Sequence, residues 1–109
     1  ASKHKLDNLI TLIDYNKLQS YGLVKEIFNL EPLKDKLLSF GWNIFDIDGH
    51  NHIDIQNALT AKTDKPKFII ANTIKGKGVS FMENKVVWHY RSASEDELNM
   101  AIKEIENNS

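Results

Sequence analysis

Three apolar runs, separated by stretches with helical periodicity, limit most sharply what this chain can fold into. Leu9-Ile10-Thr11-Leu12-Ile13 is dominated by β-branched and aliphatic residues without polar alternation, so it reads as a short buried strand. Trp42-Asn43-Ile44-Phe45-Asp46-Ile47-Asp48 and Phe68-Ile69-Ile70-Ala71-Asn72-Thr73 read as two more. Between the first and second, Pro32 opens a helix, where its missing N–H costs nothing. Leu33, Leu37 and Phe40 recur there at helical spacing, and Gly41 stops the helix as a left-handed cap. Between the second and third, Asn51 caps a helix with Asp54 as a loose capping box, and Ile55, Ala58 and Leu59 supply its buried face. Lys65-Pro66 breaks the chain before the third strand. A last helix follows the Ser94/Glu97 capping box and carries an apolar stripe of Leu98, Ala101, Ile102 and Ile105. Strand, helix, strand, helix, strand without hairpin signals predicts an α/β fold, with a parallel sheet and crossover helices. Ala1 to Lys5 reads as the tail of an element, Ser20 to Asn29 as a loop, and Glu106 to Ser109 as a frayed terminus.

Composition narrows the function classes. A chain of 109 residues fits one domain or part of one. Fourteen basic residues against fifteen acidic ones leave no bulk charge for nucleic acid or an anionic membrane. No apolar run approaches the roughly 20 residues that span a bilayer, and the amino terminus lacks the layout of a secretory signal. Zero cysteines exclude disulfides and thiolate metal sites and are compatible with a reducing compartment. The expected location is cytoplasmic.

The chemistry-bearing residues gather where strands end. In open α/β sheets, ligands bind at the carboxyl edge, and Asp14 to Gln19 would lie there after the first strand. The Asn16 amide oxygen and a free turn carbonyl make a half-site for a hard cation such as Mg2+. An asparagine kept in a turn for its tolerance of unusual backbone angles is the alternative. After the third strand, Thr73-Ile74-Lys75-Gly76-Lys77-Gly78 offers glycine N–H groups and two lysines to an anion. It has neither P-loop spacing nor a third glycine opening a helix, and a basic surface turn is the alternative. His89 lies in the aromatic segment Val86-Val87-Trp88-His89-Tyr90. Its imidazole suits a phosphate or carbonyl oxygen, or packs between Trp88 and Tyr90. His50 and His52 read as capping and solvent groups rather than zinc ligands.

These stretches together resemble the transketolase family. The resemblance is carried by Lys5 to Ile10, Asp14-Tyr15-Asn16-Lys17-Leu18-Gln19, Asn29-Leu30-Glu31-Pro32-Leu33, Asp48-Gly49-His50, Thr73 through Asn84, and Trp88-His89. It runs in order along essentially the whole chain and is greatest to the amino-terminal subunit of split transketolases. The resemblance implies a thiamin diphosphate- and Mg2+-dependent enzyme that transfers a two-carbon ketol unit between sugars. It implies that Asn16 and the Leu18 backbone carbonyl bind the metal. Lys75 would lie beside the cofactor diphosphate, and His89 near the diphosphate and the reacting carbon as a catalytic residue.

Two departures from the family pattern bear on this. The Gly-Asp-Gly whose aspartate is a metal ligand would fall before Ala1, and the activating glutamate belongs to the pyrimidine-binding subunit or domain. Tyr90 follows His89 where glycine is common, which bears on substrate choice. The expectation is that residues 1–109 are the C-terminal portion of the diphosphate-binding domain, without an internal boundary. Such a fragment, completed by a pyrimidine-binding partner in a homo- or hetero-oligomer (a dimer at least), would be inactive and poorly ordered alone. A related thiamin enzyme such as deoxyxylulose phosphate synthase, and a non-catalytic assembly piece, are the alternatives.

Overall fold

The computed structural model describes residues 1–19 and 22–107. In chain order the elements are a 3-10 turn (Ser2–His4), β1 (Ile10–Tyr15), β2 (Leu18–Gln19), β3 (Gly22–Leu23), α1 (Val24–Ile27), α2 (Leu33–Ser39), β4 (Asn43–Asp48), α3 (His52–Thr60), β5 (Lys67–Asn72), a second 3-10 turn (Val86–His89) and α4 (Glu95–Asn107). They form two compact units, one of Ala1–Asn16 with Phe28–Thr73, the other of Lys17–Ile27 with Ile74–Ser109.

The first unit holds a three-stranded sheet in the order β1-β5-β4. Both pairings are parallel, with Ile10 and Asn43 opposite Lys67 at one end and Tyr15 and Asp48 opposite Asn72 at the other. The α/β fold expected from the run pattern is the one found. β5, central, is the buried strand, with Ile69 fully enclosed and Ile70 and Ala71 close to it. β1 differs from the expectation in two ways. It runs on through Tyr15, and it alternates between exposed and covered positions, leaving Ile10 and Leu12 40% and 52% exposed. The lack of polar alternation there does not report burial on both faces, because among the described residues β1 is paired on one side only and one of its faces is open.

Lys67 shows how the unit is tied. It is buried at the start of β5, and its ammonium donates to the carbonyls of Ala58 (3.2 Å), Leu59 (2.5 Å) and Ala61 (2.9 Å). Those oxygens belong to the end of α3, where carbonyls lack intrahelical partners and the helix dipole favours a cation. At the other end of α3, Asn51 caps as expected, its Oδ1 accepting from Ile53 (2.9 Å) and Asp54 (3.3 Å) N–H groups. Asp54 does not close a capping box, because the Asn51 N–H donates to the Asp48 carbonyl instead. Gly41 does end α2 in a left-handed conformation, φ +79°. Phe40, at 70% exposure, stays outside the covered face that Leu33 and Leu37 form. The Ser2 hydroxyl donates to the Gly41 carbonyl at 3.1 Å, which anchors the first 3-10 turn.

In the second unit, β2 and β3 pair antiparallel, Leu18 opposite Leu23 and Gln19 opposite Gly22, and α1 follows at once. The stretch read as a loop from Ser20 to Asn29 therefore contains a small hairpin arm and a helical turn. Strands of two residues are too short for periodicity to register. Ser20 and Tyr21, and Asn108 and Ser109 of the expected frayed end, lie outside the described residues. α4 starts at the Ser94/Glu97 box, with Ser94 N–H to Glu97 Oε2 at 2.8 Å and Glu97 N–H to Ser94 Oγ at 3.3 Å. Of its apolar stripe only Ala101 is buried, while Leu98, Ile102 and Ile105 are each about half exposed. Among the described residues no helix is long and apolar enough to cross a membrane.

Candidate functional site

Asn16 directly follows β1, at the carboxyl edge of the first unit's sheet, and is half-buried. Its surroundings in that unit are tied by side chains on neighbouring strand ends. The Thr73 hydroxyl donates to Asp14 Oδ1. Asn72 Nδ2 donates to Asp46 Oδ1 at 2.7 Å and to the Ile47 carbonyl at 3.1 Å. The buried Tyr15 hydroxyl donates to Glu31 Oε1 at 2.6 Å. Burial, and then the Glu31 carboxylate, push the Tyr15 phenol up to about 12. Glu31 Oε2 in turn accepts from the Leu33 N–H at 3.2 Å, and Lys36 Nζ donates to the carbonyls of Leu30 (2.9 Å) and Glu31 (3.1 Å). The strand end that delivers Asn16 is thus fixed by a directional, part-buried hydrogen bond.

Lys17 takes up φ +63°, a left-handed turn, and Leu18 then opens β2 half-buried in the second unit. The Asn16 carboxamide and the Leu18 carbonyl are each neutral, hard oxygen donors of the kind Mg2+ takes. Among the described residues no group of three or more His, Cys, Asp or Glu side chains is arranged to hold a metal ion.

The loop after β5 allows two readings, glycine N–H groups turned to an anion or a basic surface turn. The Gly78 N–H instead donates to the Glu83 carboxylate at 3.1 Å, while the Lys77 and Val79 N–H groups bond to the carbonyls of Ile74 (3.1 Å) and Gly76 (3.2 Å). An anion from the loop itself occupies that turn. Gly76 is required for a different reason: at φ +73° it packs on Met82, and an added Cβ would lie 2.9 Å from the Met82 carbonyl carbon and oxygen. Lys75 sits half-buried at the start of this loop, and its carbonyl accepts from the Asn84 N–H at 2.9 Å. Nothing in the spacing of Glu83 announced its part.

His89 is the last residue of the Val86–His89 turn and is exposed, edge-on to Tyr90 with ring centroids 5.0 Å apart. Trp88 packs on Phe81 (centroids 5.5 Å) and lies under the Arg91 guanidinium, 4.3 Å from its ring centre. The packing alternative thus holds on the Tyr90 side, while the Trp88 ring is engaged elsewhere. In the first unit, the His50 N–H donates to Asp48 Oδ1 at 2.8 Å, and His52 begins α3 in an exposed position. Of the expected site residues, Asn16 belongs to the first unit, and Leu18, Lys75 and His89 to the second.

Comparison with known proteins identifies the family. A family model described as "Transketolase, thiamine diphosphate binding domain" matches residues 1–108. The chain is 46% identical, over 97% of its length, to the 6-deoxy-6-sulfo-D-fructose transketolase subunit SqwG of Clostridium sp. (strain MSTE9), and covers 40% of that protein. It is 35% identical, over 96% of its length, to an apulose-4-phosphate transketolase subunit of Phocaeicola vulgatus, covering 38% of it. The fold superposes on the crystal structure of transketolase from Campylobacter jejuni with a TM-score of 0.90 and 32% identity, over 97% of this chain and 17% of that one. The chain thus spans about two fifths of the length of the subunits it resembles. By sequence and by fold, it belongs to the transketolase family, within its thiamine diphosphate-binding domain.

Proposed function

We propose that residues 1–109 form the C-terminal portion of the diphosphate-binding domain of a split transketolase, and that they help hold thiamin diphosphate and Mg2+. The observation that carries this reading is the family match over residues 1–108. When bound, the cofactor supplies the carbanion chemistry by which a two-carbon ketol unit passes between sugars, and the protein positions it and tunes its charge. The Asn16 carboxamide and the Leu18 carbonyl coordinate Mg2+, and Lys75 offsets the charge of the diphosphate. His89 is the catalytic residue, its imidazole hydrogen-bonding the carbonyl oxygen of the sugar and passing a proton there. Its exposure on a short turn suits a group that must meet substrate. The family's other metal ligand, the aspartate of its Gly-Asp-Gly, is not among residues 1–109. A pyrimidine-binding subunit completes the site in an oligomer, which the "subunit" names of two relatives support. Those relatives are named for two different ketoses, so the donor here is a ketose of the same general class, with Tyr90 beside His89 shaping the acceptor side. A cytoplasmic setting accords with the absence of cysteine.

Isothermal titration of thiamin diphosphate into the complete enzyme, with and without Mg2+, tests the metal assignment. Asn16→Ala is expected to weaken the Mg2+-dependent part of binding about tenfold or more. An unchanged affinity would remove Asn16 from the metal. Product analysis with a ketose donor against pyruvate separates ketol transfer from deoxyxylulose phosphate synthesis.

A further inference from the structure

The Val86–His89 turn is braced on both sides of His89. On one side, Trp88 donates its indole N–H to the Phe81 carbonyl at 3.1 Å and packs its ring on the Phe81 ring. Phe81 lies in the loop that begins with Lys75. On the other side, Arg91 stacks over the Trp88 indole at 4.3 Å and pairs with the Glu97 carboxylate. Glu97 is held in turn, since it forms the capping box with Ser94 at the start of α4. A continuous set of contacts therefore runs from α4 through Arg91 and Trp88 to the Lys75 loop, and His89 sits between its two middle members.

We propose that Arg91 is a positioning residue: seated between Glu97 and the Trp88 ring, it fixes the turn that presents His89. The proposal rests on the reading of His89 as the catalytic residue. The side-chain chemistry favours arginine, because a planar guanidinium can stack on an indole while its N–H fork meets a carboxylate, which a lysine ammonium cannot do. The energetics separate a local role from a global one. Exposed contacts of this kind add little to overall stability. A four-residue 3-10 turn, however, has poor hydrogen-bond geometry of its own and depends on what packs against it.

The test uses the complete enzyme and two readouts. Hydrogen exchange in the absence of substrate follows the peptide spanning residues 86–90. Steady-state kinetics follow kcat and KM for ketol transfer in Arg91→Met, His89→Gln and the double variant. Arg91→Met is expected to speed exchange in that peptide severalfold while the melting temperature hardly moves, and to lower kcat about tenfold or more. Because Arg91 acts through His89, the double variant is expected to be no slower than His89→Gln alone. Unchanged exchange, an unchanged kcat, or losses that multiply in the double variant would each overturn the proposal. Faster exchange in Arg91→Met together with an unchanged kcat in His89→Gln would uphold the clamp and overturn the reading of His89. Should Arg91→Met fail to fold, Arg91→Lys, which keeps the charge without the planar stack, reads the same two quantities with a smaller change.

Discussion

At the scale of single residues, two glycines in one loop separate backbone strain from steric exclusion. Gly76 and Gly78 both have positive φ, +73° and +96°. A Cβ at Gly76 would meet the Met82 backbone at 2.9 Å, whereas at Gly78 it would meet nothing within 4 Å. Gly78→Ala is expected to cost about 1 kcal/mol from the left-handed backbone alone. Gly76→Ala is expected to cost about 2–3 kcal/mol, since the Met82 backbone must shift as well. Denaturant melts of the two variants check the order, and equal losses would mean that the Met82 contact yields freely. Lys67 makes a sharper case. Lys67→Met keeps the length of the side chain but strips three donors from the end of α3. At about 1.5–3 kcal/mol for a hydrogen bond to a charged group, less the cost of burying the ammonium, the net loss is expected to be about 2–4 kcal/mol by chemical denaturation. No property of the sequence marked Lys67, because its partners lie on the preceding helix and only the parallel crossover brings them to it.

At the scale of elements, local chemistry was legible and burial was not. Asn51, Gly41 and the Ser94/Glu97 pair all act at the helix ends where their residue types placed them, since caps depend on neighbours a few residues away. Ala58 and Ala101 are buried as expected, but Phe40, Leu59, Leu98, Ile102 and Ile105 remain substantially exposed. Periodicity tells which side of a helix is apolar and not what covers it. The small β2–β3 arm escaped because two residues carry no period. At the site, the residue types at the strand ends were readable, and the occupation of the Gly78 N–H by Glu83 was not. α4 also provides a pH prediction. Glu104 accepts from the Ser80 N–H at 2.5 Å and from the Ser80 hydroxyl at 2.7 Å, and these bonds hold its carboxyl below the usual range. Glu97 is lowered as well, first by the Ser94 N–H and then by Arg91. Groups whose pKa falls on folding contribute stability above their unfolded value, near 4.5, and lose it as pH drops through the folded value. Melting temperature is therefore expected to fall with pH below about 4.5, and Glu104→Gln to flatten part of that slope. A slope unchanged by Glu104→Gln would mean that the Ser80 contact is not kept in solution.

At the scale of the whole molecule, the pattern of exposed apolar side chains in each unit decides how the 109-residue chain behaves by itself. In the first unit, Ile10 and Leu12 stand on the open face of β1 with Ile53 and Phe40 also exposed; in the second, Phe81 and Val86 are covered only in part while Leu98, Met100, Ile102 and Ile105 line α4 at about half exposure. Against this, the fully enclosed residues are few: Ile69 and Pro66 are the largest side chains buried completely. Burying a side chain such as leucine or isoleucine stabilises by about 1.5–3 kcal/mol, so half-exposed positions forfeit much of the term that must offset chain entropy. Apolar faces left in water also favour association. The relatives are more than twice as long as the segment they share with this chain. The expected outcome, for the chain expressed alone, is strong amide protection confined to β5 and its two parallel neighbours, with rapid exchange in β2, β3 and α4. If the chain works within a larger transketolase as proposed, protection of α4 is expected to rise there by orders of magnitude. Uniform strong protection of the isolated chain would show that the two units are self-sufficient, and the exposed stripes would then need a different explanation.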